Sequence, residues 1–166
     1  MVPRPFKVKE IIRESHDTVT LDLQPEKPEK EPGFAPGQFN MLYTFGVGEV
    51  PISISGSSSG ADSYLHTIRD VGKVTHALAS LKRGQKVGLR GPFGNAWPIE
   101  QAKSRDVVIM AGGIGLAPLR PALYALLSQR DQYGNISLLY GSRTREDLLF
   151  HHEFETWKGK YGVQVK

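Results

Sequence analysis

The stretch VVIMAGGIGLAPLRPAL, residues 107–123, constrains the fold more than any other part of the chain. A continuous apolar run enters a turn carrying three glycines, and a helical pattern leaves it. An apolar run without polar alternation is the pattern of a parallel strand buried on both faces, and parallel strands need crossover connections, usually helices. Leu119, Leu123, Leu126 and Leu127 supply the stripe of such a helix. ISLLYG (136–141) reads as a second buried strand, and GVQVK (162–166) as the beginning of a third. Between them, REDLLFHHEFETWKG (145–159) reads as a second helix, with Phe150, Phe154 and Trp157 at i, i+4 and i+7. This β-α-β-α-β order predicts a parallel sheet with right-handed crossovers over residues 103–166. The third strand has barely begun when the sequence stops, so the chain is expected to be a fragment or shortened form of a longer protein.

Residues 1–102 carry a different period. TVTLDL sets Val19, Leu21 and Leu23 on one face and Thr18, Thr20 and Asp22 on the other. QFNMLY, YLHTIR and KVGLRG have similar length and content, and APGQ, SGSSSG and KRGQ separate them. Short strands with Gly/Pro punctuation predict a small antiparallel barrel. One helix interrupts it at GKVTHALASLKRG, where Val74, Leu78 and Leu81 fall at i, i+4 and i+7 and Gly84 closes the helix. PEKPEKEP (25–32) reads as a solvated loop joining two strands.

Composition narrows the chemistry. With no cysteine, the chain can hold neither a disulfide nor a thiolate-ligated zinc or iron–sulfur centre. Of five histidines only His151 and His152 are adjacent, and neighbours on a helix do not face one point, so no metal site is expected. A formal charge of +4 suits phosphate-bearing cofactors and is too small to argue for nucleic acid. No run approaches the ~20 apolar residues of a membrane span. The opening MVPRPFKVKE lacks the apolar core of a signal peptide, which predicts a cytoplasmic protein.

Three segments bear candidate chemistry. In AGGIGLAP, Gly112, Gly113 and Gly115 let backbone N–H groups approach a phosphate at a helix N-terminus, and Pro118 suits the first turn. The spacing is not G-x-G-x-x-G, and a plain tight turn accounts for it equally well. In EVPISISGSS (49–58), Pro51 marks a strand end or edge, and Ser53 and Ser55 alternate with Ile52 and Ile54. That is either an ordinary edge strand or an apolar platform beside a hydroxyl, suited to a flat heteroaromatic ring. In TIRDVGKVTHAL (67–78), Arg69 is a fork donor for phosphate oxygens, and Gly72 and Thr75 open a helix, with Thr75 as its N-cap. A surface arginine beside a plain cap is the other reading.

Taken together, GEVPISIS, R-x-x-G-x-x-T, GPFGNAWPIE, AGGIGLAPLRP and LLYGSRTREDLLF stand in the order of the ferredoxin–NADP reductase superfamily. Over roughly residues 5–166 the chain resembles the gamma subunit of cytoplasmic hydrogenases and sulfhydrogenases. The electron-transfer subunit of dihydroorotate dehydrogenase and the anaerobic sulfite reductase B subunit are near relatives of that type. The resemblance implies an antiparallel six-stranded flavin-binding barrel followed by a partial Rossmann-like parallel sheet domain for NAD(P). It implies that Ser53 hydrogen-bonds near flavin N5, with Pro51 and Ile52 beside it. Thr67 and Ile68 would contact the flavin through backbone and side chain. Arg69, Gly72, Val74 and Thr75 would hold the FAD pyrophosphate. Gly112, Gly113, Gly115, Leu116, Ala117 and Pro118 would form the pyridine-nucleotide phosphate turn, and Gly141, Ser142 and Arg143 would meet the adenosine ribose, with Arg143 favouring a 2′-phosphate.

The family often places Arg and Tyr where this chain has Val50 and Ile52, and Arg69 stands ready to supply that charge. Its cysteine motifs for the nicotinamide and for a [2Fe–2S] centre are not in these residues, so that cluster belongs to further polypeptide or a partner subunit. The activity implied is hydride transfer between NAD(P)H and FAD, then single-electron release to iron–sulfur and hydrogenase subunits. A non-catalytic docking module is the reading from another class.

Overall fold

The computed structural model describes residues 2–27, 33–58 and 62–166. The first unit is a six-stranded antiparallel sheet built from β1 (Arg4–Arg13), β2 (Thr18–Pro25), β3 (Phe39–Thr44), β4 (Gly48–Ser53), β5 (Tyr64–Arg69) and β6 (Lys86–Phe93). Its order is β4-β3-β6-β1-β2-β5. The two edge strands meet where Ile54 bridges His66 and the Ser55 N–H donates to the Leu65 carbonyl at 2.8 Å, which curls the sheet into a barrel. Phe6, Val8, Val19, Leu21, Leu23, Leu42, Ile68, Val87 and Leu89 fill its interior, with Leu78 from helix α1 (Lys73–Ala79) plugging it.

The alternation in β2 holds, but its polar face is buried as well: Thr18, Thr20 and Asp22 are all buried alongside Val19 and Leu21. The predicted interrupting helix is shorter than its pattern. It ends at Ala79, and Leu81 and Gly84 belong to the turn that follows, Gly84 at φ +85°. Residues 28–32 of the charged loop PEKPEKEP lie outside the described residues.

The second unit is a parallel sheet of β7 (Val107–Gly112), β8 (Ile136–Gly141) and β9 (Gln164–Val165), in that order. Helices α2 (Leu116–Ser128) and α3 (Phe154–Tyr161) make the crossovers. Leu116, Leu123, Leu126, Ile136, Leu138, Leu149, Phe150 and Trp157 form its core. Two expectations are corrected here. Strand β7 is buried on one face only: Ile109 is covered, whereas Val108 and Met110 are 61% and 71% exposed. The second helix is not continuous from Arg145: two 3₁₀ turns, Arg145–Asp147 and His151–Glu153, flank Phe150, which takes a left-handed conformation at φ 57°. A φ of that sign cannot continue a helix. Phe150 still reaches the core beside Trp157, so the apolar spacing marked burial but not helix.

The units pack against each other directly. The Trp97 indole N–H donates to the Pro118 carbonyl at 3.3 Å, the Phe150 N–H to Glu14 Oε2 at 3.4 Å, and His16 lies 3.6 Å from Asp147.

Candidate functional site

The turn after β7 begins at Gly112 and runs through a 3₁₀ turn, Gly113–Gly115, into α2. Gly113 alone of its three glycines needs positive φ, +51°, and a Cβ there would come 3.6 Å from Arg69 Nη2. Tyr140 at the end of β8 holds the turn from behind: its hydroxyl donates to the Gly113 carbonyl at 3.0 Å and accepts the Leu149 N–H at 3.1 Å. Burial pushes the Tyr140 pKa up, so this donor keeps its proton. Leu116 and Ala117 are buried beneath the helix start, and Pro118 sits at its third position, where no intrahelical N–H is required.

Between this turn and the barrel lies a cleft of about 580 Å³. Gly112, Gly113, Gly141, Ser142 and Arg143 line one wall, and His16, Asp17 and Arg69 the other. Arg69 Nε is 3.4 Å from Asp17 Oδ2. Asp17 also accepts the hydroxyls of Thr18 at 2.7 Å and Ser15 at 3.0 Å. Those hydroxyls, Thr18 first, together with Arg69 hold its pKa below the usual carboxylate range. Asp17 thus aims the guanidinium while offsetting part of its charge. Arg143 forms no ion pair among the described residues and is exposed, so its charge is available at the mouth of the cleft.

The sequence spacing groups Arg69 with Thr75; in the structure the Arg69 side chain lies in this cleft, opposite Gly113. Thr75 is not the N-cap of α1. Gly72 is, and the Thr75 hydroxyl turns back to accept the N–H groups of Val71 and Gly72, at 3.1 and 2.9 Å, and to donate to the Gly72 carbonyl at 3.0 Å. It builds the turn from within and has no donor left over. The first helical N–H groups, at Lys73 and Val74, have no acceptor inside the helix.

Just past β4, Ile54 lies in the barrel core, and Ile52 on the strand packs against that core, so the apolar face of PISIS is turned inward and does not form the expected platform. The outward face carries Pro51 and Ser53. The Ser53 hydroxyl forms no hydrogen bond with the described residues. Ile68 is fully buried in the barrel core. Thr67, expected to touch a flavin, is buried, with its hydroxyl engaged at 2.8 Å with both Thr20 and Ser55. Sequence reasoning missed Glu14, His16, Asp17, Asn40, His66, Tyr140 and Asp147. Only Asp17, in the turn ESHDT between two strands, carried a local signal.

A barrel offering an unpartnered serine and a short helix start, joined across a cleft lined by two arginines and two aspartates to a glycine turn on a parallel sheet, is a two-cofactor oxidoreductase architecture. The chain belongs to the oxidoreductase FAD-binding and NAD-binding domain family: residues 5–97 match the oxidoreductase FAD-binding domain and residues 109–166 the oxidoreductase NAD-binding domain. It is 42% identical to sulfhydrogenase 1 subunit gamma of Pyrococcus furiosus over 75% of this chain and 43% of that protein. It is 36% identical to a probable dihydroorotate dehydrogenase B (NAD(+)) electron transfer subunit of Methanocella arvoryzae, over 93% of this chain and 54% of that protein. The chain therefore spans about half the length of these relatives. Among solved structures, the flavohem-like FAD/NAD-binding domain of nitric oxide dioxygenase from Vibrio cholerae superposes with a TM-score of 0.87 at 22% identity, covering all of this chain and 73% of that one. Ferredoxin–NADP+ reductase from Plasmodium falciparum superposes at 0.81 with 18% identity, over 99% and 69% of the two chains. These likenesses establish the fold. No described helix is long and apolar enough to cross a membrane.

Proposed function

We propose that the chain is the flavin-bearing part of an electron-transfer subunit that takes a hydride equivalent from NAD(P)H and passes electrons to an iron–sulfur partner of a hydrogenase-type complex in the cytoplasm. The observation that carries the reading is Arg69: it projects from the barrel into the cleft opposite Gly113 of the nucleotide turn, so the barrel and the turn face each other across one cleft. Residues 1–102 serve the flavin and residues 103–166 the nucleotide. The residues present fit FAD, because the Ser53 hydroxyl is unpartnered and the start of α1 keeps free N–H donors. Ser53 offers that hydroxyl at the ring edge, with Pro51 beside it, and Gly72, Val74 and Thr75 shape the pyrophosphate cradle. Gly112, Gly113 and Gly115 expose backbone donors to the nucleotide phosphates, and Arg69 and Arg143 add charge on either side, while Gly141 and Ser142 lie along the ribose. Bound FAD would accept two electrons as hydride and release them singly. The protein binds, orients and shields, and no side chain has to act as nucleophile or base.

The sequence similarity to gamma subunits and to dihydroorotate dehydrogenase electron-transfer subunits supports both partner types, and the higher identity favours the first. Purified chain reconstituted with FAD should be yellow, absorbing near roughly 450 nm as free flavins do, and NADH or NADPH should perturb that spectrum. A chain that stays colourless after gel filtration with excess FAD refutes the flavin reading and leaves the docking module.

A further inference from the structure

We propose that His66 and Asn40 are positioning residues: a buried clamp that fixes the end of β4 so that Ser53 presents its hydroxyl to the flavin. The proposal rests on the reading above that Ser53 faces that ring.

The seam between β4 and β5 is where the barrel is weakest in backbone pairing, held by the Ile54–His66 bridge and the Ser55–Leu65 hydrogen bond. Ser53 is the last residue of β4, immediately before that bridge. Its carbonyl is captured by His66, whose Nδ1 lies 3.0 Å away, and His66 Nε2 lies 3.1 Å from Asn40 Nδ2. Both side chains are fully buried.

Donor logic fixes every orientation. A carbonyl only accepts, so Nδ1 carries the hydrogen. In the neutral ring Nε2 then accepts, so Asn40 donates from its amide nitrogen. Burial pushes the His66 pKa down to about 4, which keeps the ring neutral. Asn40 stands on β3 directly opposite Ile52. The clamp therefore grips β4 from both neighbouring strands at adjacent residues and sets the peptide plane after Ser53.

Stability alone does not explain this arrangement. Asn40 Oδ1 is buried without a hydrogen-bond partner, and Gly91, at φ +143°, keeps open the space beside it that a Cβ would fill. A buried polar pair with one unmet acceptor is a poorer core than apolar residues of equal volume. Its distinctive product is a fixed direction for the Ser53 carbonyl, with the hydroxyl left free.

The test uses the full chain loaded with FAD and reads the two-electron midpoint potential, the FAD dissociation constant and the melting temperature of each variant. Ser53→Ala should change the reduction equilibrium about tenfold, which is about 30 mV for a two-electron couple. His66→Leu should shift the potential in the same direction by at least threefold in equilibrium constant. The double variant should shift no further than Ser53→Ala, because the clamp acts through the serine. His66→Gln, whose amide can donate to the carbonyl and accept from Asn40, should restore the wild-type potential. A wild-type potential in His66→Leu, or additive shifts in the double variant, overturns the proposal whatever happens to the melting temperature. Should His66→Leu fail to fold, Asn40→Ala and the imidazole ¹⁵N shifts of the wild-type chain decide. An Nε2–H tautomer overturns the clamp, and an Nδ1–H tautomer with a same-sign potential shift in Asn40→Ala upholds it. A wild-type chain that binds no FAD refutes the functional reading instead, and overturns the clamp's role with it while leaving the tautomer measurable. A Ser53→Ala variant that binds FAD at unchanged potential overturns the proposal at its base.

Discussion

Removing the Thr67 hydroxyl should destabilise the barrel far more than its single oxygen suggests. Glu14 Oε1 accepts the Thr20 hydroxyl at 2.8 Å, which uses the only proton Thr20 has. The 2.8 Å contact between Thr20 and Thr67 must then be donated by Thr67, and the 2.8 Å contact between Thr67 and Ser55 by Ser55. The row runs one way, from Ser55 through Thr67 and Thr20 to Glu14, and all three hydroxyl-bearing residues are buried. Thr67→Val keeps shape and volume but deletes both Thr67 bonds. Two such bonds are worth about 1–3 kcal/mol together, and the stranded Ser55 donor places the cost near about 2–3 kcal/mol. For a chain of this size that lowers the melting temperature by about 4–12 °C. Urea unfolding and thermal melts of the FAD-free protein, followed by circular dichroism, measure it. The double variant Ser55→Ala/Thr67→Val removes the stranded donor and should recover about 1 kcal/mol. A Thr67→Val variant within about 0.5 kcal/mol of wild type, or a double variant less stable than the single, would refute this reasoning.

Acid should weaken the fold through His66. Its pKa is pushed down to about 4 from the ordinary 6.5, so the unfolded chain takes up a proton that the fold refuses. The corresponding stability is complete above pH 6.5 and falls away by about 3 kcal/mol as pH drops toward 4. His66→Gln should flatten that limb, and an identical pH slope in the variant would contradict the assignment. Gly113→Ala, which forces a side chain to φ +51°, should cost about 1–2 kcal/mol, whereas Gly115→Ala, at φ −61°, should fold as wild type; melting curves of the pair that coincide would remove the strain argument. Arg69→Ala should weaken binding of NADH or NADPH to the FAD-loaded chain about tenfold or more in calorimetry, in proportion to one lost charge-assisted contact. A larger loss of FAD than of nucleotide would return Arg69 to the flavin cradle.

The parallel unit was legible because its apolar runs and glycine turn are local signals: β7, β8 and α2 follow from residues 107–141 alone. The stripe Phe150–Phe154–Trp157 misled because both a helix and a turn followed by a helix can deliver side chains to one core; only the φ of Phe150 separates them. In β2 the period is legible but the burial of its polar face is not, since Thr20 is covered by Thr67, 47 residues away, and by Glu14, and no local pattern announces such partners. The same limit hid the clamp: Asn40 and His66 sit in ordinary strand sequence, 26 residues apart, and their pairing exists only once the barrel closes. The spacing marks the right turn for Thr75 but not its role, because a threonine at the third helical position and one at the cap both bond the turn's backbone and differ only in direction.

The hydrogen bond from Trp97 to Pro118 has an optical consequence. The chain holds two tryptophans, and they live in opposite surroundings: Trp157 is sealed in the α/β core at 2% exposure, while Trp97 is 45% exposed and tethered to the first turn of α2. A soluble quencher such as acrylamide therefore reaches one emitter and spares the other. The quenchable fraction of the fluorescence becomes a native gauge of whether the nucleotide turn is still fastened to the barrel linker, with no label attached and no residue changed.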